Sequence, residues 1–182
     1  MKKIAIAVVL LSAVVAPAVA ADNYVGIRAG QAKTSIENNT FNTGTVNSTN
    51  PTGWGVFIGH DFNPNFAVEA EYLNLGEIKG VNGGVNGSVK STGFSVSGVG
   101  SFPINEQFSL FGKLGYAMIT GSPGGSFTGS DQKSRALTYG VGGQFNVAPS
   151  VGIRLGWDKY KFNDTSMNGN ASLVSIGGLI KF

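Results

Sequence analysis

The feature that most limits how this chain can fold is its period. From Asn23 to Phe182, apolar and polar residues alternate every second position in run after run, and no stretch of ten residues carries a helical period. Alternation at period two sends successive side chains to opposite faces of a strand. Eight runs are read: Asn23–Thr34, Gly53–Asp61, Phe66–Leu75, Val89–Phe102, Phe108–Ile119, Ala136–Val147, Val151–Phe162 and Ala171–Phe182. The predicted fold class is all-β. The last run, "SLVSIGGLIKF", places Val174, Ile176, Ile180 and Phe182 on one face up to the final residue. Chain ends fray unless something ties them down, so this end belongs inside a sheet.

The connections fall into two classes that alternate along the chain. Three are tight: "NPN" at 63–65, "PINEQ" at 103–107 and "APS" at 148–150. Four are longer and polar, at 35–52, 76–88, 120–135 and 163–170. In an antiparallel up-and-down sheet this puts every long connection at one end and every tight turn at the other. Short periplasmic turns opposite longer external loops mark a transmembrane β-barrel.

The two faces differ in chemistry. One carries Val25, Ile27, Trp54, Val56, Ile58, Phe66, Val68, Tyr72, Phe94, Val96, Leu110, Leu114, Tyr116, Val141, Ile153, Leu155 and Trp157, with no formal charge through its middle. The other carries Arg28, Lys113, Arg154 and Lys181 with Asp61, Glu69, Glu71 and Asp158. A soluble carrier barrel would turn the apolar set inward. Eight strands enclose only enough space for side chains to fill, and this set is too bulky for it. It suits a surface facing hydrocarbon. Runs of about ten residues, tilted about 45°, match the membrane band. Trp54, Phe66, Phe102, Phe108, Phe145, Trp157 and Phe182 lie near strand ends, where interfacial girdles form.

The N-terminus names the compartment. Lys2 and Lys3, an apolar run from Ile4, Pro17 and the small-residue site Ala18-Val19-Ala20 form the three-part pattern of a secretory signal peptide. The expected division is residues 1–20 as signal peptide and 21–182 as one barrel domain. Setting Lys2 and Lys3 aside from the 13 basic residues leaves 11 against 10 acidic. That balance, with no basic run, points away from nucleic acid. With no cysteine, the exported chain is held by its sheet and not by disulfides.

Several segments resemble the OmpA-like transmembrane domain family of small eight-stranded outer-membrane barrels. They are "YVGIRAG" at 24–30, "GVFIGHDFNPNFAVEAEYLNLG" at 55–76, "SFPINEQFSLFGKLGY" at 101–116, "GGQFNVAPSVGIRLGW" at 142–157 and the terminal "SIGGLIKF". The resemblance spans essentially all of 21–182. It implies an antiparallel up-and-down barrel in the outer membrane of a Gram-negative bacterium, with both termini periplasmic and a charge-paired interior. It implies recognition through variable outer loops, and outer-membrane lipids and lipopolysaccharide as surroundings. A host or cell-surface ligand would meet the loops of a monomer. It also implies that the last strand, through Ile176, Ile180 and Phe182, is read by the barrel assembly machinery. Three positions depart from the family pattern: Gln144 replaces an inward Glu, Val99 an inward Lys, and Gly178 interrupts the final apolar stripe. The sequence ends at Phe182 with no peptidoglycan-binding domain after it, so a cell-wall anchoring role is not carried over.

The interior charges invite a functional reading. Glu69, Lys113 and Arg154 follow tight turns by similar distances, so they are expected at one height in the lumen, with Arg28 and Gln144 near that layer. Glu69 and Glu71 are expected to form one carboxylate cluster facing the three cations, with Glu69 paired to Arg154, Lys113 in second rank, and the lumen blocked. Such a network suits a structural or surface-interaction protein; a narrow, low-conductance pore is the alternative. A lipid-modifying enzyme is a further one, with little to support it. His60 is the sole histidine and lies on the apolar face without an evident orienting carboxylate, as serine–histidine chemistry would need. One histidine and no cysteine give no metal shell. The glycine clusters at 82–87 and 122–126 lack the lysine of a phosphate loop. No cofactor is expected.

Overall fold

The computed structural model describes residues 23–36, 45–46, 50–82, 85–125, 131–164 and 167–182. The signal-peptide reading of residues 1–20 lies outside them. The strands are β1 (Asn23–Ile36), the two-residue β2 (Thr45–Val46), β3 (Thr52–Asn63), β4 (Phe66–Asn82), β5 (Val85–Pro103), β6 (Phe108–Gly125), β7 (Gln132–Ala148), β8 (Val151–Asp164) and β9 (Met167–Lys181). All but β2 are antiparallel neighbours in chain order, and β9 pairs back onto β1 from Tyr24↔Lys181 to Ile36↔Gly169. The result is a closed eight-stranded barrel in which every wall strand has two partners, so no edge is left unpaired. At the seam, Phe182 N donates to Asn23 O at 2.8 Å, which ties the last residue to the start of β1.

Asparagine side chains build two of the tight turns. Asn63 Oδ1 accepts from the backbone N–H of Asn65 and Phe66 at 2.9 and 3.0 Å. Asn105 Oδ1 accepts from Gln107 and Phe108 at 2.9 and 2.7 Å. Each is an Asx-type turn, satisfying backbone donors that a short reversal would otherwise leave open.

At the opposite end the strands outrun the sequence reading. β4 and β5 stay paired as far as Asn82↔Val85, and β8 and β9 as far as Asp164↔Met167. Much of the stretches read as loops at 76–88 and 163–170 is therefore ladder. The cause in β4 is a bulge between Asn74 and Gly76. Gly76 has φ +88°, a left-handed value glycine adopts without steric cost, and its N–H donates to Asn74 Oδ1 at 2.8 Å. The bulge inserts a residue and changes the phase of alternation, so the period-two signal fades at Leu75 while pairing continues.

The faces separate sharply. Outward residues such as Ile27, Ile58, Leu114, Tyr116 and Ile176 are exposed, Tyr116 at 73%. Inward residues such as Phe57, Glu69, Leu73 and Leu173 are buried. Inward glycines make room for large neighbours: a Cβ on Gly26 would strike the Phe57 ring, and one on Gly59 the Tyr24 ring. Small opposite large is how a narrow barrel fills its own lumen.

Candidate functional site in the barrel lumen

The lumen is layered along the barrel axis. Nearest the tight turns, Lys181 Nζ pairs with Asp61 Oδ2 at 2.8 Å. Above lies an apolar layer of Tyr24, Phe57, Ala67, Val99, Phe111 and Leu179. Val99 thus fills, as an apolar side chain, the position where the resemblance leads one to expect lysine.

Glu69 forms the next layer. Its Oε1 receives Arg154 Nη1 and the Tyr24 hydroxyl, the latter at 2.7 Å, and its Oε2 lies 2.5 Å from Lys113 Nζ. Lys113 therefore contacts Glu69 directly and does not stand in second rank. Gln144 Oε1 accepts from Arg154 Nε and Nη2 at 3.1 and 2.9 Å, so a neutral amide serves the cation where a second carboxylate was expected. The Arg154 guanidinium also lies 4.7 Å from the Phe111 ring centre and 5.3 Å from that of Phe57, within cation–π range.

Arg28 and Glu71 sit one layer higher, apart from this cluster. Two residues along a strand advance about 7 Å, which separates Glu71 from Glu69 and divides the expected single carboxylate cluster. Arg28 binds Glu71 in a two-pronged contact, Nε to Oε1 at 2.5 Å and Nη2 to Oε2 at 2.8 Å. Its Nη1 pairs with Asp158 Oδ2, and its Nη2 donates to the Tyr160 hydroxyl at 2.9 Å. The guanidinium fork suits such bidentate contacts.

A second apolar layer closes the lumen toward the long-strand end. It contains Leu73, Leu75, Ile119 and Leu173, with Ala32, Ala117, Ala136 and Ala171. Two ionic layers are thus held between two apolar ones. The sequence puts Asp158 and Asp61 on the inward face but does not pair them with Arg28 and Lys181, nor does it join Tyr24 and Tyr160 to the network. Tyr24 shares the inward parity of Arg28 on its strand, a signal that points to it.

The outer surface has a different order. Trp54 and Tyr72 lie 5.8 Å apart between ring centres, and Tyr139 and Trp157 meet edge-on at 6.3 Å. They flank an exposed apolar band, as interfacial aromatics do. His60 Nδ1 lies 3.0 Å from Asn23 Oδ1 and its ring packs on Phe62, so its neighbour is an amide and not a carboxylate. Among the described residues no group of three or more His, Cys, Asp or Glu is placed to hold a metal. The interior carboxylates Glu69, Glu71 and Asp158 pair with cations. Ile176 and Phe182 are exposed, and Ile180 is half-buried on the same outward stripe.

A closed antiparallel barrel, polar and paired within and apolar without, defines an integral outer-membrane β-barrel protein. The chain belongs to the outer membrane protein beta-barrel domain family, whose profile matches residues 6–181. It is 26% identical over its whole length to outer membrane protein A of Salmonella typhi, of which it spans 56%. It is 29% identical over 123 residues to the attachment invasion locus protein of Yersinia pseudotuberculosis, covering 65% of this chain and 66% of that one. Among solved structures it resembles Ail of Yersinia pestis (TM-score 0.61, 19% identity, 89% of this chain and 99% of that). It also resembles Neisserial surface protein A (TM-score 0.63, 18% identity, 88% and 97%). The family and the curated relatives place the protein in the outer membrane of a Gram-negative bacterium.

Proposed function

We propose that the protein acts at the cell surface through the connections between its long strands, as a structural and adhesion-type barrel, and not through its lumen. The observation that carries this reading is the filled interior, where two ion-paired layers are held between two apolar ones. A lumen so occupied leaves the outer connections as the part free to meet a partner. The Yersinia relative is named for attachment and invasion, which supports a surface-binding role. Four such connections follow from the strand order, and a host or cell-surface ligand would meet them. An even number of wall strands returns both termini to the tight-turn side, which supports a periplasmic location for Asn23 and Phe182.

The protein sits as a monomer among outer-membrane lipids and lipopolysaccharide. The assembly machinery reads its last strand, through the outward stripe of Ile176, Ile180 and Phe182. Deleting residues 37–49 tests the surface role. Cells carrying the deletion should insert a normally folded barrel but adhere less to host cells or to other bacteria than cells with the full chain. Equal adhesion across deletions of all four outer connections would overturn the reading.

A further inference from the structure

The two ionic layers of the lumen come closest along β8. Arg154, Gly156 and Asp158 are successive inward residues of that strand, the first in the layer of Glu69 and the last in the layer of Arg28. No ion pair joins one layer to the other among the described residues. Between them the wall is built from small residues. Gly156 pairs with Gly142 of β7 on one side and with Ser175 of β9 on the other. The Phe111 ring fills the space in front of Gly142, where a Cβ would strike it. In front of Gly156 the space stays open. A Cβ there would meet Phe111 at 3.6 Å, Asp158 Oδ2 at 3.8 Å and Val141 O at 3.9 Å, all ordinary contact distances.

A cavity lies at this height, with room for the centre of one small molecule to move over about 10 Å³. That is about the space of a single water. Its lining includes Lys113 and Arg154 from the lower layer and Arg28, Asp158 and Ser175 from the upper one. Several of these groups have unused hydrogen-bonding capacity. A guanidinium carries five N–H groups and an ammonium three. Arg154 directs Nε, Nη1 and Nη2 to Gln144 and Glu69, which leaves at least one N–H over, and Lys113 pairs with Glu69. Arg28, by contrast, is fully engaged by Glu71, Asp158, Ser175 and Tyr160. Asp158 Oδ2 and Ser175 Oγ each accept from Arg28 Nη1, and each oxygen has a further lone pair.

We propose that the cavity at Gly156 is a binding site for one water molecule that joins the two ionic layers into a single network. The water accepts hydrogen bonds from the Lys113 and Arg154 side and donates to Asp158 Oδ2. Donors below and an acceptor above are the polar partners a buried water needs. A small anion is the other ligand that three lining cations would attract. The interior charges count against it: Arg28, Lys113 and Arg154 are already matched by Glu69, Glu71 and Asp158, and the Asp158 carboxylate itself borders the cavity. Glycine at 156 thus keeps open the one point where the layers can communicate.

The test pairs a high-resolution crystal structure of the barrel with substitutions at Gly156. The structure should show a single ordered water between Gly156 and Asp158, and a bromide soak should leave that position without an anomalous peak. Gly156→Ala puts a methyl group into the cavity without a clash, expels the water and offers no hydrogen bond. Gly156→Ser puts a hydroxyl where the water was. In urea titrations of the folded barrel Gly156→Ser should keep the natural midpoint. Gly156→Ala should unfold with an equilibrium constant roughly tenfold larger, because the groups around the cavity lose a partner. The pair Lys113→Gln and Asp158→Asn should depart from additivity in the natural chain and lose most of that departure in the Gly156→Ala background. An anomalous bromide peak in the cavity overturns water in favour of an anion. A cavity without density, or Gly156→Ala as stable as Gly156→Ser, overturns the site. An equal departure from additivity in both backgrounds overturns the joining of the layers. If a variant fails to fold, the density in the natural chain decides.

Discussion

Glu69 is the carboxylate on which three interior side chains converge, since Arg154, Lys113 and Tyr24 all reach it. Its side chain is nearly inaccessible, and those of its cationic partners are largely so. Removing one member of a buried pair leaves the others unmatched, which typically costs about 3–5 kcal/mol. Glu69→Ala should lower stability by about that amount in urea titrations of the folded barrel, and Glu69→Gln by less, because the amide still accepts hydrogen bonds. Unchanged stability of Glu69→Ala would remove the network from any structural role. On the other face, Ile27 is 38% exposed and points into lipid, so Ile27→Arg should cost roughly 2–4 kcal/mol. Ser97→Arg should fail differently, by crowding a filled lumen. A cysteine at Ile27 that reacts freely with a water-soluble reagent would contradict the facing.

At the scale of elements, the long strands carry the consequence. All basic residues from Arg28 to Lys181 lie within strands, including Lys33, Lys79, Lys90, Lys133, Arg135, Lys159 and Lys161 on the outer half. A protease needs an unpaired stretch of backbone, and ladder pairing withholds it. Trypsin added to intact cells should therefore leave the folded barrel whole, although the same cells should bind antibodies against its outer connections. Rapid cleavage at Lys79 or Lys90 would mean that the upper β4–β5 ladder opens. The bulge at Asn74 and Gly76 sets the shifted register of that upper ladder, so Gly76→Val, strained at positive φ, should make cleavage at Lys79 appear.

For the whole molecule, the layered lumen decides whether ions cross. The ionic layers alone could rearrange into a path, but Leu73, Leu75, Ile119 and Leu173 close the mouth beyond them. Apolar constrictions gate by excluding water. Arg154→Ala should therefore leave planar-bilayer recordings silent, and only its combination with Leu73→Ser and Leu173→Ser should produce current. Steady conductance from Arg154→Ala by itself would place the gate at the ion pair and revive the narrow-pore alternative.

Alternation along single strands carried most of the architecture. Period two separates a lipid face from a lumen face whatever the register, and tight turns alternating with long connections order the strands into an up-and-down wall. Ile27, Tyr116 and Ile176 could be assigned outward, and Glu69, Arg28 and Arg154 inward, from parity alone. The partnership of each charge could not be read in this way. Strand counting gave heights good to about one layer, yet one layer separates Glu69 from Glu71, and so decides which of them Arg28 meets. Asp158 entered through β8, a neighbour of β1 only across β9 and the closing seam, and closure is a property of the whole wall. The bulge in β4 stayed hidden for a related reason: it changes the phase of the pattern, while the ladder that continues past it depends on β5. Periodicity is local to a strand, but the layers of the lumen come from strands far apart in sequence meeting at one height.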